Sequence, residues 1–460
     1  MTTSLEALPA GPLLAYCGDD FSGSTDVMEA FTAAGLPTVL FLQSPTTQWV
    51  QRFANMRCIG LASTARGQSP DWMDAELPAA FACLKAFGAP ILQYKVCSTF
   101  DSSPTDGSIG RAVDIGAALM PGRWSPMVVG APRLKRYQAF GNLFAVADGV
   151  GHRLDRHPTM SRHPVTPMAE ADLRRHLAQQ TSRRIELIDL AQLQSGQASA
   201  RRDALAGDDV PVLLLDVIDE ATLAEVGRLV WQGRGEGLFS ASSSGLQYAL
   251  AAHWRSLGLL SAAPSLPAAA PADAIAVVSG SCSPVTGAQI AWARGNGFQP
   301  ERLDIASLLA ERTLEPAIER AVAVASAALR RGASPLVYSA EGPDDPAVLG
   351  FDDQARKAGL TRGDAAQRVG LALAEVMRRL LDRHPALRRV VVAGGDSAGA
   401  VAGALDIAAL SVIAGIAPGA PLCRAWSQRP DRDGLEIVLK GGQMGAPGFF
   451  GDVLLGCPPG

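Results

Sequence analysis

Three stretches of the 460-residue chain carry residue types that do chemistry when brought together. The first is Gly18-Asp19-Asp20-Phe21-Ser22-Gly23-Ser24-Thr25-Asp26, which sets two carboxylates side by side after the apolar run Leu13–Cys17. In a turn, Asp19 and Asp20 can reach one site, where they would bind hydroxyls or take a proton from one. The second begins at Lys95 and runs through Cys97-Ser98-Thr99-Phe100-Asp101, with Ser or Thr at 98, 99, 102, 103, 105 and 108. Such hydroxyls suit a polyol or carboxylate ligand, and Lys95 can pair with its acid group. The third is Arg389-Val390-Val391-Val392-Ala393-Gly394-Gly395-Asp396-Ser397-Ala398-Gly399. Three valines read as a strand buried on both faces, two glycines allow a tight turn, and Ser397 is placed to cap the next helix. Unpaired amides at such a turn form an anion site. Asp396 supplies the hard oxygen a metal-bound phosphate needs. Taken singly, these stretches also read as a helix cap, a surface loop and a close-packed turn. Their combination is the stronger observation.

The elements that must position these residues alternate. Strands are expected at Leu13–Cys17, Thr38–Leu42, Cys58–Leu61 and Ile91–Val96, with helices after Asp26 through about Ala34 and over Asp71–Phe87. That alternation predicts an α/β fold with mostly parallel sheets flanked by helices, in which ligands bind at the carboxyl ends of the strands. Further strands are expected at Ile185–Ile188, Val212–Val217 and Gly237–Ala241. The Ala/Pro-rich stretch 260–273 then marks a semi-rigid linker between domains 1–259 and 274–460. Beyond it, Ala274–Val278 is a buried strand entering Ser279-Gly280-Ser281-Cys282-Ser283. Ser283 is expected as the cap and Pro284 as the first residue of the following helix. Ile437–Leu439 leads into Lys440-Gly441-Gly442-Gln443-Met444-Gly445. Three strands of this domain thus end in turns of small residues, which together could line one phosphate cleft.

Composition narrows the class. Hydrophobic residues make up 48% and charged residues 19%, with a net charge of −4, an ordinary globular balance that excludes nucleic acid as the main partner. Seven scattered cysteines show no C-x-x-C pair, which fits a reducing compartment. No signal pattern opens the chain and no long apolar span interrupts it, so the expectation is a cytoplasmic protein without membrane contact. Only five of the 41 basic residues are lysine, so the placement of Lys95 and Lys440 inside two of these motifs is informative. The stretch from Arg133 to His163 concentrates arginines and reads as a local positive field that binds small anions. Arg162 and His163 are its leading candidates. Zinc is not expected there, because prolines 158 and 164 break any helix that could present paired histidines.

The motifs, in this order and spacing, resemble those of the four-carbon acid sugar kinases over nearly the whole chain. Gly18–Asp26 is similar to the family's A-D-D-x-T-G-A-x-D opening, and Lys95 with Ser98-Thr99 to its lysine and Ser-Thr loop. His163-Pro164-Val165-Thr166-Pro167-Met168 resembles its H-P-x-T-P-M segment. Ser279–Ser283, Gly394–Gly399 and Lys440–Gly445 resemble its three nucleotide turns. The resemblance implies a sugar-binding N-terminal domain, a nucleotide-binding C-terminal domain and an active site in the cleft between them. It implies ATP and Mg2+ as cofactors and an acid sugar as substrate, with a homodimer left open. Asp20 and Asp19 are then the candidates to take the hydroxyl's proton. Lys95, Ser98, Thr99, Asp101, Arg162 and His163 would bind the substrate. Ser281, Ser283, Gly394, Gly395, Asp396, Ser397, Gly399 and Gly442 would bind ATP, with Asp396 also the metal ligand. Many members carry D-S-T-L-R-G after the lysine, whereas this chain has Cys97-Ser98-Thr99-Phe100-Asp101-Ser102, an aspartate where the arginine stands. That form looks most like the 3-oxo-tetronate kinase branch, with the branched acid 3-oxo-isoapionate as competitor. Two readings of other classes were weighed. A dinucleotide oxidoreductase lacks its G-x-G-x-x-G support. A non-catalytic acid-sugar sensor has no use for three phosphate-type turns.

Overall fold

The computed structural model describes residues 7–147, 149–162, 166–261 and 266–456. The chain divides into two compact units, 1–265 and 266–460. Among the described residues the first unit has eleven strands: β1 (Leu14–Gly18), β2 (Thr38–Phe41), β3 (Cys58–Ala62), β4 (Ile91–Lys95), β5 (Ser125–Met127), β6 (Arg136–Ala139), β7 (Asn142–Ala147), β8 (Val150–Arg153), β9 (Ile185–Ile188), β10 (Val212–Leu215) and β11 (Leu238–Ser242). Five of them form a parallel sheet in the order β11-β4-β1-β3-β2. Every residue of these five is buried, as expected of strands covered by helices on both faces. β1 is flanked by β3 and β4, so the loops after all three strands emerge at one edge. β5, β10 and β9 make a second parallel sheet.

The arginine-rich stretch after Arg133, read as a local positive field, is largely strand as far as Arg153. β6, β7 and β8 form an antiparallel meander, closed at Phe140-Gly141 and around Gly149, all three with positive φ. The expected field is partly spent locally: Arg153 pairs with Asp155, and Arg133 lies 3.9 Å from Glu29.

The second unit has β12 (Ala276–Ser279), β13 (Phe298–Arg302), β14 (Ser334–Tyr338), β15 (Arg389–Ala393), β16 (Ile407–Ala417), β17 (Ala420–Ser427) and β18 (Glu436–Lys440), in the order β16-β17-β18-β15-β12-β14-β13. Only β17 runs against its neighbours. The helix Pro284–Arg294 and the terminal helix Phe449–Leu455 cover one core, built on Ile290, Val391, Val438, Phe449 and Phe450. The Ala/Pro stretch is not free along its length. Ala269 and Ala272 donate backbone bonds to Gly456 and Leu454, and Arg389 Nη2 donates to the Ala270 carbonyl at 2.8 Å. Its backbone groups find partners on the second unit, which is why residues from 266 onward belong to that unit.

Candidate active site

In the first unit the candidate residues gather at the carboxyl edge of the parallel sheet. β1 stops at Gly18, and Asp20 caps the helix Phe21–Ala33 by accepting the Gly23 amide at 2.8 Å. Asp20 Oδ2 also accepts from Ser22 Oγ at 2.7 Å. Asp19 is 2% exposed, and its two oxygens accept from Arg66 Nη2 at 2.8 Å and Nε at 3.0 Å. The same Nη2 reaches Asp20 Oδ1 at 2.8 Å. Arg66 lies in the loop after β3, held there by its amide bond to the Asp19 carbonyl. Lys95, the last residue of β4, is buried. A Cβ placed on Gly23 would lie within 3 Å of both Asp20 Oδ1 and Lys95 Nζ, so a larger residue there would displace these two charged ends.

The electrostatics separate the two aspartates. Burial pushes Asp19 up despite the guanidinium of Arg66. Burial also raises Asp20, but Arg66, Lys95, the Ser22 hydroxyl and the Gly23 amide outweigh it, and the net direction is down. One turn along, burial raises Asp26 against the pull of Lys95, Ser244 and Tyr248, whose phenol donates to it at 3.3 Å.

The Ser/Thr loop lies against this cluster. Ser98, Thr99 and Asp101 are all buried. Phe100, between them, takes a left-handed backbone at φ 59° in a turn closed by its amide to Cys97. Burial holds the Cys97 thiol up at about 11, in the combined field of Asp101, Arg66, Lys95 and Asp19. One thiol therefore senses both the loop and the aspartate pair. Asp101 Oδ1 is buried with no hydrogen-bond partner, an acceptor that a ligand hydroxyl would satisfy.

In the second unit the candidate turns are aligned by register. β12 pairs Ser279 with Ala393 of β15, and β15 pairs Ala393 with Lys440 of β18. The three small-residue turns therefore emerge side by side, tied by Gly280 N–H to Ala393 O and Gly394 N–H to Lys440 O, both 3.0 Å. Ser283 caps the helix beginning at Pro284, as expected, accepting from the Val285 amide at 3.2 Å. Thr286 Oγ1 is 3.0 Å from both Ser281 Oγ and the Gly442 carbonyl. A Cβ on Gly442 would lie 2.8 Å from Ser281 Oγ and 2.9 Å from Ser283 Cβ. Beside the first turn of this helix opens a cleft of about 490 Å³ lined by Gly287, Arg302, Glu341, Asp344 and Asp345.

Family models match both halves in chain order: a sugar-binding N-terminal domain over residues 14–250 and a nucleotide-binding C-terminal domain over 276–450. The chain belongs to the four-carbon acid sugar kinase family. It is 67% identical over 451 residues to a Paraburkholderia graminis protein named 3-oxo-isoapionate kinase, covering 98% of this chain and 96% of that one. It is 31% identical over 453 residues to a Cupriavidus necator protein named 3-oxo-tetronate kinase, covering 96% of each. A Salmonella typhimurium structure described as a putative tRNA synthase shares the fold, with TM-score 0.74 and 24% identity over 95% of this chain and 98% of that one.

Within this kinase, Asp19, Asp20, Lys95, Ser98, Thr99 and Asp101 come together in the first unit. Ser281, Ser283, Gly394, Gly395, Ser397 and Gly442 come together in the second. Gly399 lies a turn deeper in the helix Gly395–Ala404. Ser397 is not that helix's cap. Gly394, at φ 120°, holds the cap position, and Ser397 is the third helical residue, its hydroxyl against Gly280, where a Cβ would clash. Arg162 is exposed at the end of a short 3-10 turn and makes no ion pair with another described residue. His163 and the Asp396 side chain lie outside what the structure describes. Among the described residues no three His, Cys, Asp or Glu side chains cluster to hold a metal, and no helix is long and apolar enough to cross a membrane. Sequence reading missed Arg66 and Thr286. Arg66 follows a strand that was expected, so the loop after β3 merited the same attention as those after β1 and β4.

Proposed function

We propose that this kinase transfers the γ-phosphoryl group of ATP to a hydroxyl of 3-oxo-isoapionate, the narrower of the two acid-sugar readings. The observation that carries the choice is the 67% identity along 98% of the chain to a protein of that name, against 31% to the 3-oxo-tetronate kinases. Asp101, at the position where many members have arginine, is consistent with a substrate offering a hydroxyl there.

In the proposed step the substrate oxygen bonds to the γ-phosphorus as the bond to the β,γ-bridging oxygen breaks and ADP leaves. Asp19 takes the hydroxyl proton. Burial makes it the more basic of the pair, and each of its oxygens has one donor and one lone pair to spare. Asp20 is committed to the helix cap and serves to position. Lys95 is proposed for the substrate carboxylate. The turns at Ser281–Ser283, Gly394–Gly395 and Gly441–Gly442 are proposed for the phosphates. Mg2+ would arrive with ATP and neutralise phosphate charge, because no carboxylate cage awaits it in the described residues. Asp396 remains its proposed protein ligand.

ATP consumption across 3-oxo-isoapionate, threonate, erythronate and their 3-oxo forms tests the reading. A kcat/KM at least about tenfold higher for 3-oxo-isoapionate is expected. Preference for 3-oxo-tetronate would return the chain to the broader branch. ATP binding without turnover of any acid would favour a sensor.

A further inference from the structure

Lys440 is wholly buried, and among the described residues it has no anionic partner. Its Nζ donates to Thr286 Oγ1 at 3.1 Å and lies 5.7 Å from the centre of the Phe449 ring. The charged groups on the surrounding elements do not compensate it. On its own strand Glu436 pairs with Arg389 of β15, and Arg294 at the far end of the helix Pro284–Arg294 pairs with Glu341. Asp452, on the terminal helix, forms no ion pair with it. A buried cation costs several kcal/mol unless an anion meets it. This one also sits under the first turn of a helix, whose partial positive charge makes the site worse for an ammonium and better for an anion. Burial alone holds Lys440 down at about 7. Its hydrogen bond leads outward: Thr286 Oγ1 touches Ser281 Oγ and the Gly442 carbonyl, members of two of the three turns.

We propose that Lys440 is the built-in counter-charge of the nucleotide site: the buried amine takes up a proton when nucleotide phosphates settle on the turns above Thr286. The inference rests on the assignment of those turns to ATP. It makes Lys440 a positioning residue, acting through Thr286 and through its field.

Calorimetric titration with ADP at about pH 8.5, in buffers of different ionisation enthalpy, reads the proton directly. Phosphate groups, with a second pKa near 6, are already ionised there, so uptake belongs to the protein. Roughly one proton per nucleotide is expected for the wild type, with affinity falling about tenfold per pH unit above 7. The variant Lys440→Met should take up none and bind about 10- to 100-fold more weakly near pH 7. In the Ser279–Ser283 turn the titratable side chain is Cys282, and Cys282→Ser should keep the uptake. If Lys440→Met does not fold, the wild type and Cys282→Ser still decide. ADP binding without proton uptake, or uptake lost in Cys282→Ser, would overturn this inference alone. No ADP binding would overturn the nucleotide assignment, and this inference with it.

Discussion

Replacing Arg66 with methionine keeps most of the side-chain volume and removes the one guanidinium that holds both Asp19 and Asp20. Three hydrogen bonds are lost, and Asp19, 2% exposed, keeps only the field of Lys95. Breaking a buried pair from one side costs about 3–5 kcal/mol. Arg66's side chain is 25% exposed, so the lower end applies, about 3 kcal/mol. For a unit of this size that lowers Tm by roughly 6–12 °C at neutral pH. The pH dependence gives a sharper signature. Asp19, already raised by burial, rises further without Arg66, and Asp20 loses the largest of the contacts that hold it down. Protonating Asp19 then favours folding more in the variant than in the wild type, and the wild type gives up its Asp20 contribution as pH falls. The deficit against wild type should therefore shrink toward acid pH and widen toward neutral. Turnover should fall as well, because the proposed base loses its fixed geometry. Thermal melts of wild type and Arg66→Met between about pH 4.5 and 8 check this. Equal melting temperatures across that range would refute the view that Arg66 organises the site.

Other expectations follow from the same geometry. Asp19→Asn should lower kcat by about 10²–10⁴ with little change in Tm, whereas Asp20→Ala should cost stability through the lost Gly23 cap and reduce kcat less; steady-state rates and melts on both variants separate base from cap. Gly442→Ala sets a Cβ 2.8 Å from Ser281 Oγ and 2.9 Å from Ser283 Cβ, so KM for ATP should rise several-fold while the affinity of the first unit for acid sugar is unchanged, measurable by calorimetry with each ligand alone. In the absence of nucleotide, Lys440 is neutral when folded and protonated when unfolded between about pH 7 and 10.5. The unfolded state binds the extra proton there, so wild-type stability should gain on Lys440→Met by up to about 1.4 kcal/mol per pH unit across that window. Urea titrations at several pH values read the difference.

Much of this protein is legible in its residue order. Apolar runs such as Val390–Val392 can only be strands buried on both faces, and Ser283 before Pro284 can hardly be anything but a helix start. Both are local rules in which one residue's backbone preference or burial suffices. The motif around Asp19-Asp20 and the small-residue turns name chemistry for the same reason. The role of each group was not legible, because role depends on what lies opposite. Asp19 and Asp20 are the same residue type one position apart. Tertiary structure alone gives Asp20 a cap, a hydroxyl and a guanidinium, and leaves Asp19 buried and more basic. Arg66 enters only because β3 lies beside β1. The stretch after Arg133 reads as a local positive field, since its charges dominate the composition, yet turns at Phe140-Gly141 and Gly149 fold it into a meander in which part of that charge is paired. Lys440 reads as a strand-end lysine. Only the packing of Thr286 and Phe449 over it makes it a buried amine with no anionic partner among the described residues, because burial and pairing are properties of the neighbours a residue acquires, and the fold alone supplies those.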